Sequence, residues 1–221
     1  MIVHIFDVDY TVLRKTSAQY FLRVALREKY IRFSQIYHLP LEWIKYKIAS
    51  PDMDFIESTV KKLSGLKKSD MENISEVCFE KYAKKNIYSE SAKLIREALN
   101  KGQKVIFATS SFDFIIKPLE NFFGIEGSLA TRMEYSDGIT TGNLSGYSLF
   151  GVKKKTAALE WMKNNGIKAQ DVIFYSDSYT DIPLLECCGT AVAVNPDRIL
   201  KRKAKKENWK ILLIKDVIVT S

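Results

Sequence analysis

The sequence is poor in the residues that build disulfide frameworks and zinc centres. Its 221 residues include three cysteines and two histidines. Cys78, Cys187 and Cys188 form neither an even set of disulfide partners nor the spacing of zinc ligands, and the last two are adjacent. This cysteine content suits the reducing cytoplasm, where we expect the protein to be located.

The sequence also lacks a long apolar segment. No uninterrupted apolar run reaches the roughly 18 residues that a membrane-spanning helix needs. The chain begins with a predicted strand instead of a charged stretch and an apolar signal core. We therefore expect a soluble protein. At 46% hydrophobic residues, the chain can bury a substantial core, either as one large domain or as a domain with a sizeable insertion.

Acidic residues are outnumbered by basic ones. The 34 lysine and arginine residues exceed the 26 aspartate and glutamate residues, which gives a formal net charge of +8. This excess favours anionic partners, which include phosphorylated metabolites, nucleic acid and an acidic membrane surface, and charge alone does not choose among them. Part of the excess is concentrated in residues 14–49, where eight basic residues accompany two glutamates.

A helix, a glycine and a short apolar strand follow one another three times along the chain. Continuously apolar strands rich in β-branched residues are typical of a parallel sheet that is covered on both faces. We therefore predict an α/β fold with a parallel-sheet core and helices on both faces. The predicted strands are 2–6, 104–108, 172–176 and 190–194, and Gly102, Gly166 and Gly189 precede the last three.

Residues 14–87 interrupt this alternation. They show helical spacing, contain no convincing strand, and are broken at Pro40 and in the sequences SPDMD and SGLKKSD. We predict that this segment is an inserted helical cap domain and that residues 1–13 and 88–221 form the core domain. Within the core, Asp137 and Gly138 lie between two short alternating stretches and predict a β-hairpin turn.

Polar residues follow the predicted strands at the place where an open α/β sheet binds its ligands, beyond the carboxyl ends of the strands. If these ends converge, several aspartates crowd one pocket. Two carboxylates about 4 Å apart repel by roughly 4 kcal/mol at an effective dielectric of about 20, and one lysine does not offset several such pairs. A divalent cation does, and an all-oxygen site without histidine or cysteine suits Mg²⁺. The residues are Asp7, Asp9 and Thr11 after the first strand, Thr109, Ser110 and Ser111 after the second, Asp177, Ser178 and Asp181 after the third, and Lys153 to Lys155 at a predicted helix start.

Each of these signals has a structural alternative when it is taken singly. An Asp-x-Asp sequence after a strand is common in turns and helix caps, and the Thr-Ser-Ser run would cap a helix. Three consecutive lysines usually form a solvated face, and the Asp-Ser pair at 177–178 would simply start a helix. The occurrence of all the signals at one edge of the same predicted sheet favours a catalytic site.

The motifs FDVDYTV, FATSS, the lysine after FG, and YSDSYTDIPLLE resemble the four motifs of the haloacid dehalogenase (HAD) superfamily. The stretch AVAVNPDRILKRKAKKENWKIL is similar to the C-terminal part of its phosphoserine-phosphatase-like branch, subfamily IB. The resemblance covers the predicted core almost end to end, whereas the cap matches only in position and helical character. It implies a Rossmann-like core with an inserted helical cap, and Mg²⁺-dependent hydrolysis of a small phosphate monoester.

The resemblance also implies catalytic roles for individual residues. Asp7 would attack phosphorus and form an aspartyl-phosphate. Asp9 would act first as a general acid and then as a general base. Thr109 would donate a hydrogen bond to the phosphoryl group, together with the backbone N–H of Ser110 at the start of the following helix.

The same resemblance implies a metal site and a catalytic lysine. Mg²⁺ would be held by Asp7, by the backbone carbonyl of Asp9 and by Asp177. We expect Lys155 to neutralise the nucleophile and the phosphoryl group, because it precedes the apolar Leu159 by four residues; Lys154 is the alternative. The supporting residues would be Thr11, Ser178 and Asp181, and the last of these would anchor the lysine or support the metal.

One position departs from the phosphoserine-phosphatase pattern. Those enzymes carry a glutamate nine residues after the nucleophile, which pairs with the ammonium group of the substrate, and this chain has Thr16 there. A buried substrate charge without a partner is costly. Arg14, Lys15 and Thr16 together predict a basic entrance that favours anionic phosphomonoesters, so phosphoserine becomes the second choice of substrate.

Two other classes of function stay open. A phosphotransferase would pass the aspartyl-phosphate to an acceptor alcohol with the same residues. A binding module would place the basic aromatic segment 20–48 on anionic lipid or RNA, although an amphipathic bundle packed on itself is the reading we favour for this segment. A binder also has no need of both Asp7 and Asp9. We therefore expect a small phosphorylated substrate and no DNA partner, with membrane-surface contact as the lesser alternative.

Overall fold

The computed structural model of the chain describes residues 1–28 and 60–218. Within these residues, one sheet of six parallel strands forms the centre of the fold, in the order β3-β2-β1-β6-β7-β8, and β4 and β5 form an antiparallel pair. The strands are β1 (Val3–Phe6), β2 (Lys104–Phe112), β3 (Ser128–Thr131), β4 (Met133–Ser136), β5 (Ile139–Leu144), β6 (Val172–Ser176), β7 (Thr190–Val194) and β8 (Lys210–Leu212).

Helices connect most of these strands. The α-helices of the described residues are α1 (Ser17–Arg27), α2 (Lys68–Cys78), α3 (Ser89–Asn100), α4 (Asp113–Phe123), α5 (Val152–Asn164), α6 (Ile182–Leu185) and α7 (Arg198–Lys206). A π-helical turn covers Phe79–Ala83, and 3₁₀ turns cover Lys84–Asn86, Ala169–Asp171 and Tyr179–Asp181. None of the helices in the described parts of the chain has the length and apolar character that crossing a membrane requires.

The central sheet is covered on both faces, as the apolar strands predict. Successive residues of a strand point to opposite sides of a sheet. Phe6 therefore packs in one apolar cluster with Ile95 of α3, while the preceding Ile5 packs in a second cluster with Met162 of α5. All four side chains are at most 2% exposed. The predicted α/β fold with a parallel sheet and helices on both sides is confirmed.

All four predicted strands are present, although β1 begins at Val3 and not at residue 2, and β2 is longer than predicted. Strands 172–176 and 190–194 have the predicted bounds, whereas strand 104–108 continues to Phe112. It continues because β3 pairs alongside it, with Phe112 opposite Thr131 after an irregularity in register. The sequence analysis did not identify β3 and β8, because strands of four and three residues at the two edges carry almost no pattern.

The hairpin predicted at Asp137 and Gly138 is also confirmed. These two residues form the loop between β4 and β5, with φ angles of 49° and 75°. Positive φ at both central residues is the requirement of the two-residue hairpin turn that matches the twist of the strands. Asp and Gly are among the residues that adopt this conformation at least cost, which explains why the turn is recognisable in the sequence.

The predicted helical insertion is described in part. Residues 17–27 and 68–86 are helical, and α1 packs near α4 through an edge-to-face contact of Phe21 with Phe114 at 5.5 Å between ring centroids. Pro40, the sequence SPDMD and most of the basic aromatic segment 20–48 lie outside the described residues. The domain boundaries at 13/14 and 87/88 stay predictions.

Candidate active site

A cavity of about 600 Å³ lies beyond the carboxyl ends of the central strands. Each of the four sequence motifs contributes to its wall. The lining includes Asp7 after β1, Ser110 in β2, Lys154 in α5, Asp177 after β6, and Asn195 after β7. The parallel sheet therefore brings together residues that are as much as 188 positions apart in the chain.

Strand β1 fixes Asp7 at the centre of the sheet. β1 pairs with β2 on one side and with β6 on the other, and the N–H of Asp7 donates to the carbonyl of Tyr175 at 2.9 Å. The chain then leaves the sheet through Tyr10, which has a φ of 58°, and the N–H of Val12 donates back to the carbonyl of Val8. This tight loop places Asp9 beside Asp7 at the cavity.

Asp9 is held by the first residue of helix α1. The backbone N–H of Ser17 donates to Asp9 Oδ1 at 2.8 Å, and the hydroxyls of Ser17 and Ser111 form a hydrogen bond of 2.6 Å. The carboxylate thus receives one of the N–H groups that a helix start leaves without an intrahelical acceptor. The hydrogen bond to Oδ1 fixes the orientation of the Asp9 carboxyl group.

Lys154 joins two buried carboxylates. Its Nζ lies 2.9 Å from Asp7 Oδ1 and 2.8 Å from Asp181 Oδ2, and its side chain is buried. Ser176 Oγ also donates to Asp181 Oδ2 at 2.7 Å. Burial lowers the pKa of Lys154, but the charges of Asp181 and Asp7 raise it further, so the net pKa lies above its ordinary value and the ammonium group stays charged.

The lysine at the carboxylates is Lys154, which corrects our preference for Lys155. That preference used Leu159 as a marker of the buried helix face, yet Leu159 is 37% exposed, whereas Ala158 is fully buried. Residues four apart lie on the same face of a helix. Lys154, Ala158 and Met162 therefore form the buried face of α5, and Lys155 lies about 100° away from it, partly exposed.

The carboxylates of the cavity are crowded and poorly compensated. Burial, and after it the charges of Asp7 and Asp181, raises the pKa of Asp177 well above its ordinary value. Burial raises the pKa of Asp9 to about 6 against the lowering effect of its hydrogen bonds with Ser17. Burial also raises the pKa of Asp7 to about 7, although Lys154 lowers it. Positive charge placed in the cavity would favour the ionised form of these carboxylates.

The donor set of the cavity fits a bound Mg²⁺. The predicted metal ligands Asp7 and Asp177 would supply carboxylate oxygens, and Asp9 would supply its backbone carbonyl, while its carboxylate Oδ1 accepts from Ser17. Asp181 Oδ1 is a buried oxygen that lacks a hydrogen-bond partner among the described residues. No three His, Cys, Asp or Glu side chains in the described parts of the chain converge as a metal-binding group. Water and phosphate oxygens would complete such a site, as Mg²⁺ commonly requires.

The predicted phosphate-binding residues lie in a strand and not at a helix start. β2 continues to Phe112, and α4 begins only at Asp113. Thr109 is buried, and its Oγ1 accepts a hydrogen bond from the N–H of Ser111 at 3.1 Å. Ser110 lines the cavity, and its carbonyl accepts from Thr131 at 2.8 Å. The expectation that the Ser110 N–H lies at the start of a helix is therefore wrong.

The three supporting residues connect the strand ends with one another. Thr11 Oγ1 donates to Asp177 Oδ1 at 3.4 Å, and the Thr11 carbonyl accepts from Ser91 Oγ at 2.6 Å. Ser178 caps the short 3₁₀ turn that ends at Asp181, since its Oγ accepts from the N–H of Thr180. Asp181 in turn accepts from Lys154. These contacts hold the carboxylates of Asp177 and Asp181 in place.

Of the three residues predicted at a basic entrance, Thr16 alone is among the described lining residues. Its side chain accepts from the N–H of Gln19 at 3.2 Å and caps helix α1. The side chains of Arg14 and Lys15 are exposed and do not line the cavity. Their role in substrate selection stays a prediction without support from the cavity wall.

Sequence reasoning did not select the residues that follow β7. Asn195, Asp197 and Arg198 line the cavity. The N–H of Asp197 donates to the Asp177 carbonyl at 2.9 Å, and its Oδ2 accepts from Tyr179 N–H at 2.6 Å. The signal was present, because these residues follow an apolar strand in the same way as Asp177 follows β6.

Comparison with protein families agrees with this geometry. The family model described as haloacid dehalogenase-like hydrolase matches residues 5–186, which include the end of β1, strands β2 to β6 and all four motifs. The match covers more than half of the chain.

Similar proteins include two named phosphatases and one solved structure. The chain is 28% identical over 211 residues to phosphoserine phosphatase SerB1 of Mycobacterium tuberculosis, covering 93% of this chain and 68% of that protein. It is 27% identical over 217 residues to histidinol-phosphatase of Neisseria meningitidis, covering 96% and 98%. A protein of unknown function from Bordetella pertussis Tohama I has the same fold, with a TM-score of 0.86, 22% identity, and coverage of 96% and 97%.

Proposed function

The chain belongs to the haloacid dehalogenase-like hydrolases, and we propose that it is a Mg²⁺-dependent phosphatase that hydrolyses a small phosphate monoester through an aspartyl-phosphate on Asp7. The observation that carries this proposal is the buried contact of Lys154 with both Asp7 and Asp181. Such a contact orients a carboxylate at the bottom of an open cavity and leaves its second oxygen without a bond to the lysine.

Asp7 acts as the nucleophile in this proposal. Lys154 binds Oδ1, so Oδ2 attacks phosphorus and the alcohol leaves from the opposite side. Phosphoryl transfer depends mainly on position and on stabilisation of charge. Lys154 supplies one fixed positive charge, and its own position is fixed by Asp181. The second half-reaction hydrolyses the aspartyl-phosphate and returns Asp7 to its free carboxylate.

Asp9 transfers the proton. Its pKa of about 6 is suited to a group that first gives a proton to the leaving oxygen and then takes one from water. The bond from Ser17 N–H to Oδ1 fixes the orientation of the carboxyl group, and Oδ2 is the oxygen that exchanges the proton in this proposal. Asp9 thus alternates between acid and base while Asp7 alternates between free and phosphorylated.

Asp7, Asp177 and the backbone carbonyl of Asp9 would hold Mg²⁺. When bound, the ion supplies the positive charge that offsets the crowded carboxylates and the phosphate dianion. Asp177 is the residue most dependent on this compensation, since its pKa is raised well above the ordinary value by burial and by Asp7 and Asp181.

The choice of substrate within the phosphate monoesters has a first and a second candidate. Relatives are named phosphoserine phosphatase and histidinol-phosphatase, which supports a small phosphorylated metabolite. Thr16 offers no carboxylate to a substrate ammonium group, so an anionic monoester is the first candidate and phosphoserine the second. A phosphotransferase would use the same residues and would differ only in passing the phosphoryl group to an alcohol.

The experiment that tests the proposal measures hydrolysis of p-nitrophenyl phosphate with Mg²⁺ and with EDTA. We expect activity in Mg²⁺, loss in EDTA, and a hydroxylamine-labile phosphoryl label on acid-quenched protein. Asp7→Asn preserves the shape of the side chain but cannot attack phosphorus, so both activity and label should disappear. Asp137→Asn, in the exposed hairpin turn, is the matched control and should keep both. Full activity of Asp7→Asn, or in thorough chelation, would contradict the proposal.

A further inference from the structure

Two basic residues line the cavity in the described part of the chain, Lys154 and Arg198, and they differ in their contacts with carboxylates. Lys154 is buried and bonded to Asp7 and Asp181. Arg198 is exposed, and no ion pair joins it to a carboxylate in the part of the chain that the structure describes. Its guanidinium group is therefore available to a molecule that enters the cavity.

The neighbouring acid does not neutralise Arg198 by direct contact. Asp197 Oδ1 accepts from the N–H groups of Ile199 and Leu200, and its Oδ2 accepts from the N–H of Tyr179. Both carboxylate oxygens are thus engaged with backbone donors. Asp197 acts as the N-cap of α7, and this capping positions Arg198 as the first residue of the helix.

The placement of Arg198 is unfavourable for the helix itself. The N-terminus of a helix carries partial positive charge, so acidic residues stabilise the first turn and basic residues destabilise it. The first turn of α7 contains no acidic residue and begins with Arg198. Local helix stability therefore does not explain why an arginine stands at the position that faces the cavity.

The backbone of Arg198 is held in place relative to the carboxylate loop. The preceding Asp197 donates its N–H to the carbonyl of Asp177, and α7 is anchored by the buried Leu200 and Ala204. Arg198 is thus connected through one residue to the loop that carries a predicted metal ligand. A guanidinium group at such a site presents a rigid fork of donors that matches a carboxylate.

We propose that Arg198 binds a second anionic group, a carboxylate, on the leaving part of the substrate. The inference rests on the phosphatase function proposed above and narrows its substrate class to phosphate monoesters that carry a carboxylate. Arg14 and Lys15, which the sequence suggested for this purpose, lie outside the cavity wall. In this proposal Arg198, from the C-terminal part of the chain, supplies the positive charge that binds the carboxylate.

The test compares 3-phosphoglycerate with glycerol 3-phosphate, which differ by a carboxylate in place of a hydroxymethyl group. We expect wild type to have the higher kcat/KM for 3-phosphoglycerate. Arg198→Gln should reduce the ratio of the two kcat/KM values about tenfold, which corresponds to about 1.4 kcal/mol. The loss should appear mainly in KM for 3-phosphoglycerate, because the contact is present in both the bound substrate and the transition state.

Arg202→Gln is the matched control. Arg202 lies on the same helix, is exposed and carries the same charge, but it does not line the cavity. The ratio of the two kcat/KM values should change less than twofold in Arg202→Gln. Arg198→Lys should retain part of the preference for 3-phosphoglycerate. An unchanged ratio in Arg198→Gln, or an equal fall in Arg202→Gln, would overturn the inference while leaving the phosphatase intact. Absence of hydrolysis of both substrates and of p-nitrophenyl phosphate by wild type would overturn the proposed function itself.

Discussion

The backbone N–H of Ser17 donates a hydrogen bond of 2.8 Å to Oδ1 of Asp9. The candidate acid is therefore held by helix α1, whereas the candidate nucleophile Asp7 is held by the central strand. Ser17 follows directly on the Thr16 cap, so the first helix of the predicted insertion 14–87 contacts the first motif.

Replacing Ser17 by proline should weaken the acid role of Asp9. Proline is tolerated at the first position of a helix, and the extended backbone of Thr16, at φ −71° and ψ 138°, suits the residue before proline. Ser17→Pro removes the N–H donor, and we expect kcat to fall about tenfold for an alkyl phosphate. The fall should be smaller for p-nitrophenyl phosphate, whose leaving group needs little protonation.

Ser17→Ala provides the control for this change. It keeps the N–H to Asp9 and removes only the hydroxyl that bonds Ser111. Steady-state kinetics with both substrates should show the difference between leaving groups in Ser17→Pro and not in Ser17→Ala. Equal losses for the two substrates in the proline variant would contradict the positioning of Asp9 by this bond.

Lys154→Gln should affect both stability and activity. Removing one partner of a buried charge pair typically costs about 3–5 kcal/mol, and Lys154 compensates both Asp7 and Asp181. We expect a lower free energy of unfolding in denaturant and a loss of about 10³-fold in kcat. Lys155→Gln changes the adjacent, partly exposed position. It should alter kcat by less than about twofold and the unfolding free energy by less than about 0.5 kcal/mol. A larger loss of activity in Lys155→Gln than in Lys154→Gln would identify Lys155 as the catalytic lysine.

Asp177→Asn should stabilise the metal-free protein and abolish its response to Mg²⁺. Burial and the charges of Asp7 and Asp181 disfavour the ionised carboxylate. Its replacement by a neutral amide should therefore raise the unfolding free energy in EDTA. Mg²⁺ at about 100 times its dissociation constant should stabilise wild type by about 2.7 kcal/mol. Thermal unfolding with EDTA and with Mg²⁺ measures both effects. Equal stabilisation of wild type and Asp177→Asn by Mg²⁺ would show that Asp177 is not a metal ligand.

Stability should depend on pH through His4, which lies outside the cavity. Burial, and to a smaller extent the charge of Lys101, lowers the pKa of His4 below its ordinary value of 6.5, although its hydrogen bond with Gln103 raises it. A histidine with a lowered pKa favours the folded state while it is neutral. Its contribution is present above pH 6.5 and is lost as the pH falls below that value.

The comparison of wild type with His4→Gln isolates this contribution. The raised pKa values of the cavity carboxylates make acid stabilise the fold, but this effect is common to both proteins and cancels. Denaturant unfolding at pH 7.5 and pH 5 should show a larger loss, or a smaller gain, for wild type than for His4→Gln. A more favourable acid response in wild type would show that His4 gains a proton on folding.

The sequence was sufficient to predict the centre of the fold and the positions of the carboxylates. Buried parallel strands read as continuous apolar runs, and residues after such strands meet at one edge. Asp7, Asp9 and Asp177 were identified for this reason, and the cavity brings them together. The edge strand β8 was not identified, because it has only three residues and all of them are at least partly exposed.

The choice between adjacent residues on a helix could not be made from the sequence. Lys154 and Lys155 differ by a rotation of about 100°, and the apolar residues of α5 do not define one clear face. Leu159 is exposed while the smaller Ala158 is buried, so the larger apolar residue indicated the wrong side. Arg198 was missed for another reason. Arg198 begins the sequence RILKRKAKK, which is typical of a solvated basic helix. The structure shows that Asp197 caps this helix and that its first residue, Arg198, lines the cavity.

The central position of β1 has a consequence for the exchange of backbone hydrogens. Strand β1 is paired on both sides, and the amide of Asp7 is bonded to the Tyr175 carbonyl beneath a fully buried Phe6. The hydrogen bond of this amide opens only when the chain after β1 separates from β6 at the centre of the sheet, so we expect slow exchange. The amide of Ser17 has a side-chain carboxylate as its acceptor and becomes accessible when α1 detaches. The nucleophile and the hydrogen bond that orients its proton donor therefore have different opening free energies, and the Ser17 N–H can leave Asp9 while β1 stays paired.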